Sequence, residues 1–224
     1  MTNPIALYGL TAVPASAETL LNATPIYPRV NATPDAILVA DTPIPTTKLA
    51  QRINEYALHH LPEPVYNHSR RVYHYGLAIK QHRFPFPDWA FSDETYFLAC
   101  MLHDIGTIAE HQDTQLSFEF IGGFLALELL QDQKEAGGSA PRAQAESVAE
   151  AIIRHQDLTS VGSITAVGQL LQLATIFGRL WTDPLPFSFF LFFFVFVFIP
   201  RSCPLALTHR PPQVQSLTHL APKK

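Results

Sequence analysis

Three histidines and one aspartate in this 224-residue chain, His68, the adjacent pair His103-Asp104, and His155, could act together as ligands and proton carriers around one metal ion. Taken singly, an imidazole is more often a hydrogen-bonded core or surface residue than a ligand. The adjacent pair changes that reading. An imidazole and a carboxylate together at the inner end of a helix are costly to bury unless hydrogen bonds or a cation compensate them. Mixed imidazole and carboxylate donors suit zinc, iron or manganese, whereas all-oxygen sets suit magnesium and calcium. His59, His60, His74, His82 and His111 read as solvated or packing residues.

Residues so far apart in sequence meet only if separate elements converge, and the hydrophobic spacing supplies such elements. His68, Val72, Tyr75 and Ile79 fall on one helical stripe, so His68 faces a core. Phe97, Met101 and Leu102 build a buried face immediately before His103-Asp104, and Val148 and Ile152 lead to His155 in the same way. The period predicts helices over 47–61, 66–82, 92–105, 117–134, 142–155 and 161–177, and no segment alternates as a strand should. Asn67 and Ser92 are candidate caps, Asp93 and Glu94 suit the positive end of a helix, and Gly106 is a stop signal. Residues 137–141, Gly-Gly-Ser-Ala-Pro, separate the fourth and fifth helices. The fold class is therefore all-α, a helical bundle with short connections. It is preceded by a Pro-rich extended N-terminal arm over residues 1–46, which holds Pro4, Pro14, Pro25, Pro28, Pro34, Pro43 and Pro45.

Composition narrows the partners. At 47% apolar and 15% charged residues the chain can bury a core and is not a disordered tail. The net charge is −4 and no window gathers a run of Lys and Arg, so nucleic acid is not an expected partner. Cys100 and Cys203 are the two cysteines, which excludes a disulfide framework or a Cys-rich finger and points to a reducing, cytoplasmic setting. Ile5 to Val13, followed by Pro-Ala-Ser-Ala, imitates a signal peptide but lacks its basic leading region. The most apolar run, Leu185 to Ile199, contains Pro186 and Ser188. As a helix it would cover about 22 Å of a bilayer core of about 30 Å, so a membrane is not expected either. Self-association into a homo-oligomer stays open.

His68, then His103-Asp104-Ile105-Gly106, then Arg154-His155-Gln156-Asp157 resemble the HD-domain metal hydrolases. More narrowly, the segments YGLTAVP at 8–14, PVYNHS at 64–69, FSDET at 91–95 and SFE at 117–119 look like the fungal cyanamide hydratases. The resemblance covers residues 8 to 177. It implies an HD domain over 47–177, one divalent ion, usually zinc with iron or manganese as alternatives, and hydration of the nitrile of cyanamide to urea. It further implies His68, His103 and Asp104 as metal ligands, with His155 in the substrate pocket as a proton carrier. Glu119 and Thr107 are placed near the site as orienting residues. Two other functions stay open: an HD-type phosphohydrolase acting on nucleotides or phosphoesters, and an inactive HD remnant.

The remnant is motivated by a departure from the family pattern. HD domains complete the metal shell with a distal Asp, which should follow Ala174-Thr175-Ile176-Phe177, and here the next residue is Gly178. Asp183 comes five residues too late and precedes Pro184, so it is not assigned as a ligand. From Pro184 to Phe194 every residue is Pro, Leu, Phe or Ser, the residues of all-pyrimidine codons. Residues 178–224 thus read as a translated intron, an aberrant hydrophobic and disordered tail behind a domain truncated at its distal Asp helix.

Overall fold

A computed structural model describes residues 3–23, 37–132 and 138–182, with side chains described as far as residue 178. Among these residues eight α-helices surround one core: α1 (Pro4–Leu7), α2 (Ala17–Ala23), α3 (Lys48–His60), α4 (Glu63–Arg83), α5 (Asp93–Leu102), α6 (Phe118–Gln131), α7 (Arg142–Arg154) and α8 (Ala166–Thr182). α5 is the axis. Every residue from Thr95 to Leu102 is buried, as befits a helix apolar on all sides. Ser92 caps it by accepting from the Thr95 amide, and Asp93 and Glu94 fill its first turn. α4 crosses α5 where Gly76 lies under Tyr96: an added Cβ would fall 1.8 Å from the Tyr96 hydroxyl, which donates to the Val72 carbonyl at 3.1 Å. Only hydrogen fits there.

The bundle was expected, and three local expectations are corrected. α4 begins at Glu63, with Pro64 in its first turn where a missing N–H costs nothing, so Asn67 lies inside the helix and does not cap it. α5 ends at Leu102, and the chain then makes a 3-10 turn over Ile105–Thr107 in which Gly106 is the middle residue rather than a simple stop. A strand pair is also present. β1 (Ala12–Pro14) runs antiparallel to β2 (Ser163–Thr165), pairing Val13 with Ile164. Residues 163–165, expected within the last helix, are therefore strand, and α8 starts at Ala166.

The lead-in carries α1, β1 and α2 and packs on the bundle, with Val13, Ala15, Leu20 and Leu21 in the core. α8 continues past the expected end at 177 to Thr182. The rest of the anticipated tail, including Asp183 and the aromatic run, lies outside the described residues, as does Gly137. Among the described residues no helix is long and apolar enough to cross a membrane.

Candidate metal centre

His103 closes α5 and His155 closes α7, each as the C-cap residue of its helix. The last carbonyls of a helix lack intrahelical partners, and both histidines use one. Nδ1 of His103 lies 2.7 Å from the Cys100 carbonyl, and Nδ1 of His155 lies 2.6 Å from the Ile152 carbonyl. A carbonyl can only accept, so each Nδ1 carries the proton and donates it. In the neutral ring this leaves Nε2 as a lone pair aimed inward.

Those lone pairs converge on Asp104. Its Oδ2 is 3.1 Å from His103 Nε2 and 3.9 Å from His68 Nε2, and its Oδ1 is 3.9 Å from His155 Nε2. The His103 ring stands 5.3 Å from that of His68 and 5.2 Å from that of His155, centroid to centroid. His103 and His155 are buried, while the side chains of His68 and Asp104 are 19% and 17% exposed. The centre therefore opens to solvent along the His68 and Asp104 side. Burial by itself pushes the Asp104 carboxyl up, but His103, followed by His68 and His155, outweighs it and holds the group well below the usual carboxylate range. His155 moves the other way, since burial and then the neighbouring His103 push its pKa down to about 4.

This donor set fits a divalent ion. A neutral His103 presents a lone pair to a carboxylate oxygen at 3.1 Å, two acceptors in contact. The pair requires positive charge, from a proton or an ion. Tetrahedral zinc with bonds of about 2.0–2.1 Å separates its ligand atoms by about 3.4 Å, and one ligand atom each from His68, His103 and Asp104 lie within 4.8 Å of one another. Nε2 of His155 is buried without a hydrogen-bond partner among the described residues, so it stands at the centre uncommitted.

The remaining expected residues surround these four. Thr107 directs its hydroxyl to the Asp104 carbonyl at 2.7 Å, which stiffens the turn carrying the carboxylate. Glu119, in the first turn of α6, is half-buried, and its charge partly opposes the fall in the His155 pKa. α6 is seated on the turn through Gly106, where a Cβ would lie 2.1 Å from the Phe118 carbonyl oxygen. Among the described residues three other histidines point elsewhere: His59 and His60 bond carbonyls of their own helix, and His74 bonds Thr42. Sequence reasoning missed Phe118, whose ring meets that of His155 edge-on at 5.7 Å. It also missed the two carbonyls that set the tautomers, although histidines at helix ends were a usable signal. At the distal position, a Cβ on Gly178 would sit 3.8 Å from His68 Cε1, so α8 does pass beside the centre.

Comparison with known proteins supplies the family. The family model described as HD domain matches residues 65–177. Two proteins of Saccharomyces cerevisiae, cyanamide hydratase DDI2 and cyanamide hydratase DDI3, are each 40% identical over 177 residues, which is 79% of this chain and 72% of either relative.

Proposed function

The chain belongs to the HD-domain family, and from that premise we propose that it is a metal-dependent hydratase adding water across the nitrile of cyanamide to give urea. One observation carries the reading: three imidazoles, those of His103, His68 and His155, gather at the Asp104 carboxylate. A small uncharged nitrile needs no other charge. A phosphoester needs compensating cations, and of the three arginines near the motif, Arg70, Arg71 and Arg154, which form no clustered basic pocket, the first and last are committed elsewhere. Arg70 bonds the Tyr66 hydroxyl, while Arg154 pairs with Glu150 and Asp157 and bonds the Ser163 carbonyl. The names of the two yeast relatives support the same substrate. Buried, free Cys100 fits a cytoplasmic setting.

In this reading His68, His103 and Asp104 hold the ion, which we assign as zinc, with iron or manganese open to the same donors. When bound, such an ion lowers the pKa of water and polarises the nitrile. The chain's own groups manage the proton. His155 is neutral near pH 7 with its Nε2 directed inward, so it accepts the proton lost as water oxygen bonds to the nitrile carbon. It then returns that proton to the nitrile nitrogen, and the isourea so formed tautomerises to urea. Glu119 raises the proton affinity of His155 through its charge, and Thr107 holds the Asp104 turn.

The test is to load the purified chain with zinc, determine its metal content, and follow urea from cyanamide beside phosphate from nucleotides. Urea alone is expected. Phosphate release would establish the phosphohydrolase instead, full metal with neither product would defeat both, and failure to take up metal would leave an inactive remnant.

A further inference from the structure

α8 carries two glutamines one turn apart, Gln169 and Gln172, among Val167, Leu170, Leu171, Leu173 and Ala174, and both are 1% exposed or less. A buried side-chain amide is tolerated where its N–H groups find acceptors. Gln172 donates from Nε2 to the Arg154 carbonyl at 2.7 Å and to the Asp157 carbonyl at 3.0 Å. Gln169, with its amide nitrogen turned toward the lead-in, donates to the carbonyls of Pro14 and Ala15, both at 3.1 Å. The same device on one helix thus pins two different loops, and the loop held by Gln172 is the one that contains His155.

We propose that Gln172 is a positioning residue for His155. His155 is the C-cap of α7, and its ring is steadied by the Ile152 carbonyl within its own last turn. That bond orients the ring relative to α7. It does not fix the turn that leaves the helix. Backbone bonds from the Asp157 N–H to the Arg154 carbonyl and from the Leu158 N–H to the Gln156 carbonyl close that turn, and two side-chain pins seat it: on the solvent side the Arg154 guanidinium joins Asp157 and the Ser163 carbonyl, and on the buried side Gln172 holds the carbonyls at 154 and 157 that bracket the histidine. Exposed ion pairs hold weakly, whereas a buried amide with two short bonds is costly to lose. Gln172 therefore determines how the Nε2 lone pair faces Asp104, and Gln169 performs the same service for a segment that bears no site residue.

The kinetic consequence rests on the hydratase reading, and the experiment separates the two. Gln172→Met keeps length and approximate volume while removing both donors, and Gln169→Met is the matched control. The quantities read are kcat and KM for urea formation, zinc content, and amide hydrogen exchange over residues 154–158. Gln172→Met should lower kcat by about 10–100-fold, the scale of a misplacement near 1 Å. KM and zinc content should stay within about twofold, and exchange at Asp157 and Leu158 should quicken by at least about tenfold. Gln169→Met should leave kcat within about twofold, since the lead-in takes no part in chemistry. An unchanged kcat in Gln172→Met, or an equal fall in both variants, would overturn the proposal. If the parent chain makes no urea, the hydratase reading fails, and exchange alone decides: faster exchange over 154–158 sustains the positioning role and unchanged exchange removes it. Should Gln172→Met not fold, Gln172→Asn, whose shorter amide keeps a donor that cannot reach both carbonyls, is read in the same three ways.

Discussion

Lowering the pH of the metal-free chain should weaken it in large part through His155. His155 is buried, and burial followed by the adjacent His103 brings its pKa from the ordinary 6.5 down to about 4. Between those values the unfolded chain binds a proton that the folded chain refuses. The associated stability is therefore complete above about pH 6.5 and drains away as the pH falls toward 4. A fall from 6.5 to about 4 corresponds to about 3 kcal/mol in total, of which about 2 kcal/mol disappears between pH 7 and pH 4.5. With a urea dependence of about 2 kcal/mol per molar, the unfolding midpoint should drop by about 1 M over that interval. Asp104 contributes with the same sign at lower pH, because a carboxyl held below its ordinary range loses its contribution only as the pH falls through the folded value. Stopping at pH 4.5 leaves Asp104 out, and comparison with a variant separates His155 from His74, whose pKa burial and then Arg70 also lower. His155→Phe keeps a ring against Phe118 and cannot take a proton, so its midpoint should lose about 1 M less than the parent's over the same interval. Parallel losses in the two chains, after removal of metal with a chelator, would refute a neutral buried His155.

Three further outcomes follow from the same geometry. Gly106→Ala puts a methyl 2.1 Å from the Phe118 carbonyl oxygen and 2.9 Å from the Gly122 amide, both backbone atoms of α6. The helix must shift, at a cost of about 3 kcal/mol or more and a fall in Tm of about 6–12 °C; calorimetry showing a change under about 2 °C would contradict this. Asp104→Asn keeps the shape of the centre and removes its charge, so bound zinc after desalting should fall below about a tenth of an equivalent while the helical circular dichroism stays unchanged. Retention of a full equivalent would show that the carboxylate is no ligand. Gly178→Asp adds a carboxylate where a Cβ meets only ordinary contacts, the Tyr75 ring at 3.7 Å and His68 Cε1 at 3.8 Å. It should tighten zinc by about 10–100-fold in chelator competition, and equal affinity would mean that position 178 does not address the centre.

Side-chain chemistry and helical period made the bundle legible, because apolar residues at helical spacing bury the same face whatever their neighbours do. α5 and α7 end within a few residues of their expected limits for that reason. β1 and β2 were not legible. Each has three residues and β1 ends on Pro14, too little for an alternation to show. Their pairing depends on two segments about 150 residues apart meeting at α8, which no local pattern encodes. The early start of α4 was hidden by Pro64, which reads as a breaker unless the helix is known to begin there.

At the site, residue type shows which groups could meet and leaves their division of labour undecided. His103 and His155 are indistinguishable by that measure: both cap a helix, both are buried, and both donate Nδ1 to the carbonyl three residues back. What separates them is tertiary. His103 Nε2 lies 3.1 Å from an Asp104 oxygen and His155 Nε2 lies 3.9 Å from the other. The nearer ring sits against the carboxylate oxygen that His68 also faces, while the farther ring faces the other oxygen. In the proposed reading the division follows from grouping: His103 and His68 both face Oδ2 of Asp104, with ligand atoms within 4.8 Å of one another, whereas His155 faces Oδ1. That difference depends on how α5 and α7 pack and on the pin that Gln172 supplies from α8.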